Sequence, residues 1–223
     1  MKKNLMLSMM LLTGIFSSVN LNAQEVVKKK GYILTFESNY AELDPKLKQR
    51  LISTFFTVYP ELAKEYNPKT LKSVKFLVDT AYKGVAATSN GIVTFSSYWM
   101  KLHPEDIDVV THEVMHIVQD YGDSNGGPGW LTEGIADYAR SKFGIDNAGA
   151  KWSLPALQPK HSYENSYRIT ARFLTWIEKQ KPGTVKALDA SLRDHSYTPE
   201  IWTKLTGKDL DPLWAEYVKN PAI

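Results

Sequence analysis

Two short runs of this chain must meet at one point in space, and that requirement restricts the fold more than any other feature. The first run carries His112 and His116 four residues apart, with Glu113 beside the first; the second carries Glu133 and Asp137, again four apart. Residues spaced by four share one face of a helix, so both imidazoles can aim a ring nitrogen at a single cation, at about 2.0–2.1 Å for zinc. Pro104 in a first turn, Glu105, Asp106 and Asp108 near the positive end, and Gly122 available for a left-handed stop delimit the first helix. A polar, glycine-rich loop from Asp123 to Gly129 follows, then a second amphipathic run from Trp130 to about Phe143. The spacing predicts a helix, a loop and a helix.

The alternative, a helix whose histidines are merely solvated or packed in the core, is tested by the helical wheel. Ile107, Val110, Val114, Ile117, Val118 and Tyr121 form an apolar stripe. At 100° per residue both histidines fall roughly 140–180° from its centre, so they are not core residues of this helix. With five histidines in 223 residues, an H-E-x-x-H string would arise about 0.006 times in a shuffled chain. Glu113 is placed to take a proton from a metal-activated water rather than to bind the metal. A catalytic zinc ion takes three protein ligands and keeps a fourth position for water, so a third ligand must come from elsewhere, and Glu133 is the best candidate. Asp137, on the same face, could accept the other ring N–H of a ligand histidine and fix its tautomer. A solvated surface carboxylate is the other possibility for each acid.

H-E-x-x-H followed on the next helix by Trp130-Leu131-Thr132-Glu133-Gly134-Ile135-Ala136 resembles the gluzincin metallopeptidases, which include thermolysin and the aminopeptidase N family. The strings Thr111 to Gln119, Glu133 to Arg140, Tyr167 to Leu174 and Leu213 to Tyr217 further resemble the basic secretory protein family of plant-type peptidases, over about Tyr32 to Lys219. That resemblance implies a zinc ion held by His112, His116 and Glu133, with Glu113 as catalytic base. Asp137 matches the position at which thermolysin-like enzymes keep an Asp behind a ligand histidine. The loop between His116 and Glu133 is shorter than in thermolysin. Gluzincins use a tyrosine to donate to the oxyanion, and Tyr167, which opens a helical run with Thr170, Ala171, Leu174 and Ile177, resembles the aminopeptidase pattern. Tyr163 is its rival. His161 could supply a second donor, and Arg168 or Arg172 could hold a peptide carboxylate; the default for all three is an ordinary surface residue. His103 and His195 have no metal-ligand spacing. The resemblance also implies that the strand before the motif helix, here Val93-Thr94-Phe95, is an edge that pairs with an extended peptide.

Lys2 and Lys3, the apolar run Leu5 to Phe16, and Leu21-Asn22-Ala23 predict a cleaved export signal over residues 1–23, followed by a single zinc-metallopeptidase-like domain over 24–223. Secretion or export to a periplasm follows, with no stable membrane insertion afterwards. Removing the two signal lysines leaves 25 basic against 24 acidic residues, 27 − 2 against 24, which gives no support to nucleic-acid binding. The absence of cysteine excludes thiol chemistry and a cysteine-type structural zinc site. Lys28-Lys29-Lys30 is expected to be a solvated leader to the first strand.

Alternating apolar residues predict strands at Tyr32–Phe36, near Val74–Val78, Val85–Thr88 and Ile92–Ser96, with Ser89-Asn90-Gly91 as a turn. A helix starts at Asp44 and Pro45 and runs through Val58; Thr198-Pro199 and Asp211-Pro212 start further helices, while Pro182-Gly183 and Gly207 end others. The expected class is α+β, a small mixed sheet with a helix followed by a mainly helical part, of gluzincin-like architecture. The expected activity is zinc-dependent hydrolysis of peptide bonds in peptides or proteins. A non-catalytic extracellular protein stabilised by zinc and a zinc hydrolase of non-peptide amides are the alternatives; oligomeric state is not readable from the sequence.

Overall fold

A computed structural model describes residues 24–122 and 126–223. The expected export signal, and residues Asp123 to Asn125 of the loop between the two motif helices, lie outside the described residues.

The first half is a five-stranded sheet built from β1 (Glu25–Lys29), β2 (Tyr32–Ser38), β3 (Ser73–Asp79), β4 (Ala86–Ser89) and β5 (Ile92–Ser96), in the order β1-β2-β3-β5-β4. β2, β3 and β5 run parallel; β1 and β4 are antiparallel edges. Every second residue of the central strands is buried, Leu34 and Phe36, Val74, Phe76 and Val78, Val93 and Phe95, as period-two patterning requires. Helix α1 (Pro45–Glu65) covers that face, and Phe55 packs edge-on to Phe76 at 5.5 Å. The Asp44 carboxylate starts α1 by accepting the Lys46 N–H at 2.9 Å. The helix continues past Val58 and through Pro60 to Glu65. An internal proline costs ~3 kcal/mol, which the burial of Tyr59, Leu62 and Ala63 on either side offsets.

Two expectations are corrected here. Lys28 and Lys29 belong to β1 rather than to a solvated leader, because Lys30 and Gly31, at φ 54° and 78°, form a tight turn that folds them back on β2. The segment Val93-Thr94-Phe95 is not an edge: β5 is flanked by β3 and β4, and the edge on that side of the sheet is β4. Asn90 and Gly91, both at positive φ, make the hairpin turn that places β4 outside β5.

After β5 the chain enters α2 (Ser97–Leu102), capped by the Ser96 hydroxyl, and then α3 (Val109–Gln119) and α4 (Gly129–Phe143). The motif helix is shorter than the sequence suggests. Asp106 is drawn into bonds from Trp99 and Arg140, and Asp108 into bonds from Thr111, Ile145 and Asp146, so residues 104–108 form turns. At its other end Asp120, at φ 47°, takes the left-handed position two residues before Gly122.

The remaining helices are α5 (Tyr167–Gln180), α6 (Thr184–Arg193), α7 (Glu200–Thr206) and α8 (Leu210–Lys219), with a 3₁₀ turn at Tyr163–Asn165. Gly207 ends α7 as expected, whereas α8 begins directly after Asp209, two residues before the anticipated Asp211. Phe173 on α5 packs against Trp202, Trp214 and Tyr217, which fastens α7 and α8 to it. The architecture is α+β, and no helix of the described residues is long and apolar enough to cross a membrane.

Candidate metal centre and cleft

The site is built on α3, whose residues Val109, His112, Glu113, His116, Ile117 and Asp120 all line a cleft of about 1680 Å³. Their i, i+3, i+4 spacing is one helical face, opposite Val110, Val114 and Val118 in the core. The cleft exceeds the ~300–1,000 Å³ of small-molecule pockets and suits an extended chain. β4, α4 and the start of α5 form its other walls.

His112, His116 and Glu133 come together. His112 Nε2 lies 3.2 Å from His116 Nε2 and 3.2 Å from Glu133 Oε2, and His116 Nε2 lies 3.6 Å from the same oxygen. Among the described residues this is the group of side chains whose donor atoms could share a metal ion. The opposite ring nitrogens are committed. His112 Nδ1 is 2.7 Å from Asp137 Oδ1, and His116 Nδ1 is 2.6 Å from Gln119 Oε1. The Gln119 amide donates to Thr132 O at 2.9 Å, which fixes its oxygen as the group facing His116. With both Nδ1 atoms acting as donors, both Nε2 atoms and a carboxylate oxygen point at one spot, where a proton or a metal cation can sit. Such a donor set calls for a cation, and two nitrogens around a tetrahedral zinc at ~2.0–2.1 Å would stand about 3.3 Å apart. Electrostatics agree. Burial opposes charge on His112, yet hydrogen bonds to Asp137 and Glu133 outweigh it and push its pKa up to about 10. Burial likewise opposes the Glu133 charge, but His112 and His116 hold that carboxyl well below the usual range. The site favours positive charge between these groups.

Glu113 is buried beside His112, and Thr88 on β4 holds it: the hydroxyl lies 2.7 Å from Glu113 Oε2 and 2.9 Å from its backbone carbonyl. Tyr167 stacks over His112 with ring centroids 6.1 Å apart. It sits at φ 50° after Ser166 at φ 61°, two left-handed non-glycine residues in succession. Each such residue costs ~1–3 kcal/mol, and the strain lies where the backbone turns this ring into the cleft. The Glu133 charge, then burial, raises the Tyr167 pKa, which keeps its phenol a proton donor.

The other candidates separate. Tyr163 donates to Asp211 at 2.7 Å, and its ring packs on Trp130, outside the cleft lining. His161 Nδ1 accepts the Gln158 N–H, and Arg172 donates to Pro221 O at 2.8 Å. Arg168 does line the cleft. His103 packs against Trp99 with ring centroids 4.0 Å apart, and His195 stands outside the ligand group. Gln119 and Thr88 were not foreseen. Gln119 carries a local signal, since it lies one helical turn after His116, whereas Thr88 reaches Glu113 through tertiary pairing and has none.

One solved structure shares this fold at a TM-score above 0.5. An M1 zinc metallopeptidase mutant from Deinococcus radiodurans, bound to a Tyr-Ser-Ala substrate, is similar over 90% of this chain and 53% of its own, at 12% identity and a TM-score of 0.52. A two-domain M1 zinc metallopeptidase mutant bound to L-tryptophan follows at 13% identity and a TM-score of 0.43, over 88% of this chain and 48% of that one. The chain thus spans about half the length of these structures. No curated protein matches the sequence. The family model described as "Peptidase of plants and bacteria" matches residues 17–217, nearly the whole chain, and the chain belongs to that family.

Proposed function

We propose that this chain is an exported, single-domain zinc peptidase that hydrolyses peptide bonds, with His112, His116 and Glu133 as metal ligands and Glu113 as general base. The carrying observation is the convergence of two imidazole nitrogens and a carboxylate oxygen at 3.2–3.6 Å, with both Nδ1 atoms bonded elsewhere, on the floor of an open cleft. The family and the fold agree with it.

Zinc held by these three residues would supply Lewis-acid polarisation of the scissile carbonyl and lower the pKa of water to about 7. Asp137 and Gln119 hold the two imidazoles in the tautomer that directs Nε2 to the metal. Glu113, oriented by the Thr88 hydroxyl, takes a proton from the attacking water and delivers it to the leaving amine as the C–N bond breaks. Tyr167 donates its phenolic proton in a hydrogen bond to the oxyanion, a contribution typically worth ~10²–10³ in turnover.

Replacing Glu113 with Gln should keep the metal and remove chelator-sensitive cleavage of a casein-type substrate. A Glu113→Gln protein that still turns over would eliminate the proposed base.

A further inference from the structure

The edge strand β4 offers backbone hydrogen bonds to the cleft, but one of them is already taken. Ser96 N–H donates to Val85 O at 3.0 Å, so Val85 and Ser96 lie in the register of a bonded antiparallel pair. Bonded pairs alternate along such a ladder, so Ala87 and Ser89 face β5, while Ala86 and Thr88 turn their N–H and C=O groups outward. Thr88 passes directly by the base, since its hydroxyl bonds Glu113. Ala86 is two residues, about 6.8 Å, further along the edge. Its carbonyl accepts the Tyr82 hydroxyl at 3.0 Å.

The Tyr82 ring has a seat for this purpose. Its hydroxyl end passes close over Gly84, where a Cβ would come within 2.5 Å of the Tyr82 oxygen and 2.8 Å of Cζ. Burial and then the Glu113 charge raise the phenol's pKa, so the group remains a donor. Tyr82 lines the same cleft as Glu113 and Tyr167.

We infer that Tyr82 is a specificity-determining residue: by capping Ala86 O it covers the sheet edge on one side of Thr88 and limits how far an extended peptide can pair there. The inference rests on the peptidase reading. Substrates that end soon after the scissile bond on that side meet no obstacle, and longer ones lose the Ala86 carbonyl as an acceptor unless the phenol swings away. The consequence is a preference set by chain length rather than by side chain.

The test compares a short quenched-fluorescent peptide with versions extended by three residues at the N-terminal or the C-terminal end. In the wild type, extension at one end should leave kcat/KM unchanged. In Tyr82→Phe the extended-to-short ratio at that end should rise about threefold to tenfold, the value of one recovered main-chain hydrogen bond. Gly84→Ala, which pushes the ring off its seat while keeping the hydroxyl, should move the ratio the same way. A ratio is independent of the fraction of folded enzyme. Ratios within twofold of wild type at both ends would overturn the inference, as would an equal loss for all three peptides in Tyr82→Phe. If the wild type cleaves none of them, the peptidase reading falls separately, and fluorescence anisotropy of the same labelled peptides then reads the ratio as binding.

Discussion

Replacing Gln119 with Leu isolates the contribution of the group behind His116. Gln119 is 1% exposed, accepts from His116 Nδ1 at 2.6 Å and donates to Thr132 O at 2.9 Å. Leucine fills similar volume but leaves both partners without a bond, at about 1–3 kcal/mol each. The Thr132 share falls on the fold with or without metal and should appear as a lower urea midpoint of the metal-free protein. The His116 share falls on the metal. Freed from Gln119, the ring can rotate or carry its proton on Nε2, and loss of such a supporting bond typically weakens binding 10–100-fold, or about 1.4–2.8 kcal/mol. Competition for zinc against a chromophoric chelator measures this directly. A zinc Kd within twofold of wild type in Gln119→Leu would refute the idea that Gln119 fixes the His116 tautomer.

Thr88→Val, which keeps the shape and removes the hydroxyl, should lower kcat about 10–100-fold at unchanged zinc content, since hydrogen bonds to charged groups are worth ~1.5–3 kcal/mol; steady-state kinetics with metal analysis checks it, and an unaltered kcat would show that Glu113 needs no orienting bond. Gly134→Ala should destabilise the protein although alanine is the better helix former, because a Cβ there would come within 2.7 Å of Thr170 Cβ where α4 meets α5. Overpacking of ~1–3 kcal/mol predicts a Tm lower by about 2–12 °C, with reduced turnover because α5 carries Tyr167; a raised Tm would contradict the close approach.

What the sequence disclosed and what it concealed follow from the range of the forces involved. The strands β2, β3 and β5, the Asp44 start of α1 and the extent of α4 rest on local signals, and they stand where alternation, capping and periodicity put them. The convergence of the two histidines with Glu133 was legible because helical spacing fixes a face. The pairing of Asp137 with His112 follows from the same spacing once α3 and α4 touch. β1 was hidden because three successive lysines carry no apolar alternation, and its order comes from pairing with β2. The late start of α3 has a similar cause: Asp106 and Asp108, ordinary first-turn residues by sequence, are captured by Arg140, Trp99 and the 145–146 backbone. Strand order in the sheet is wholly non-local, so the edge was assigned to β5 when it belongs to β4. That Tyr163 is committed to Asp211 and Trp130 while Tyr167 lines the cleft also needed the fold, since packing alone separates the two rings.

Zinc stoichiometry of the purified protein, alone and with His116→Ala, bears most directly on the central assignment. One zinc ion per wild-type chain, lost in the variant while the apo fold persists by circular dichroism, is the predicted result. A wild type that binds no metal, or a His116→Ala protein that retains a full equivalent, would contradict it.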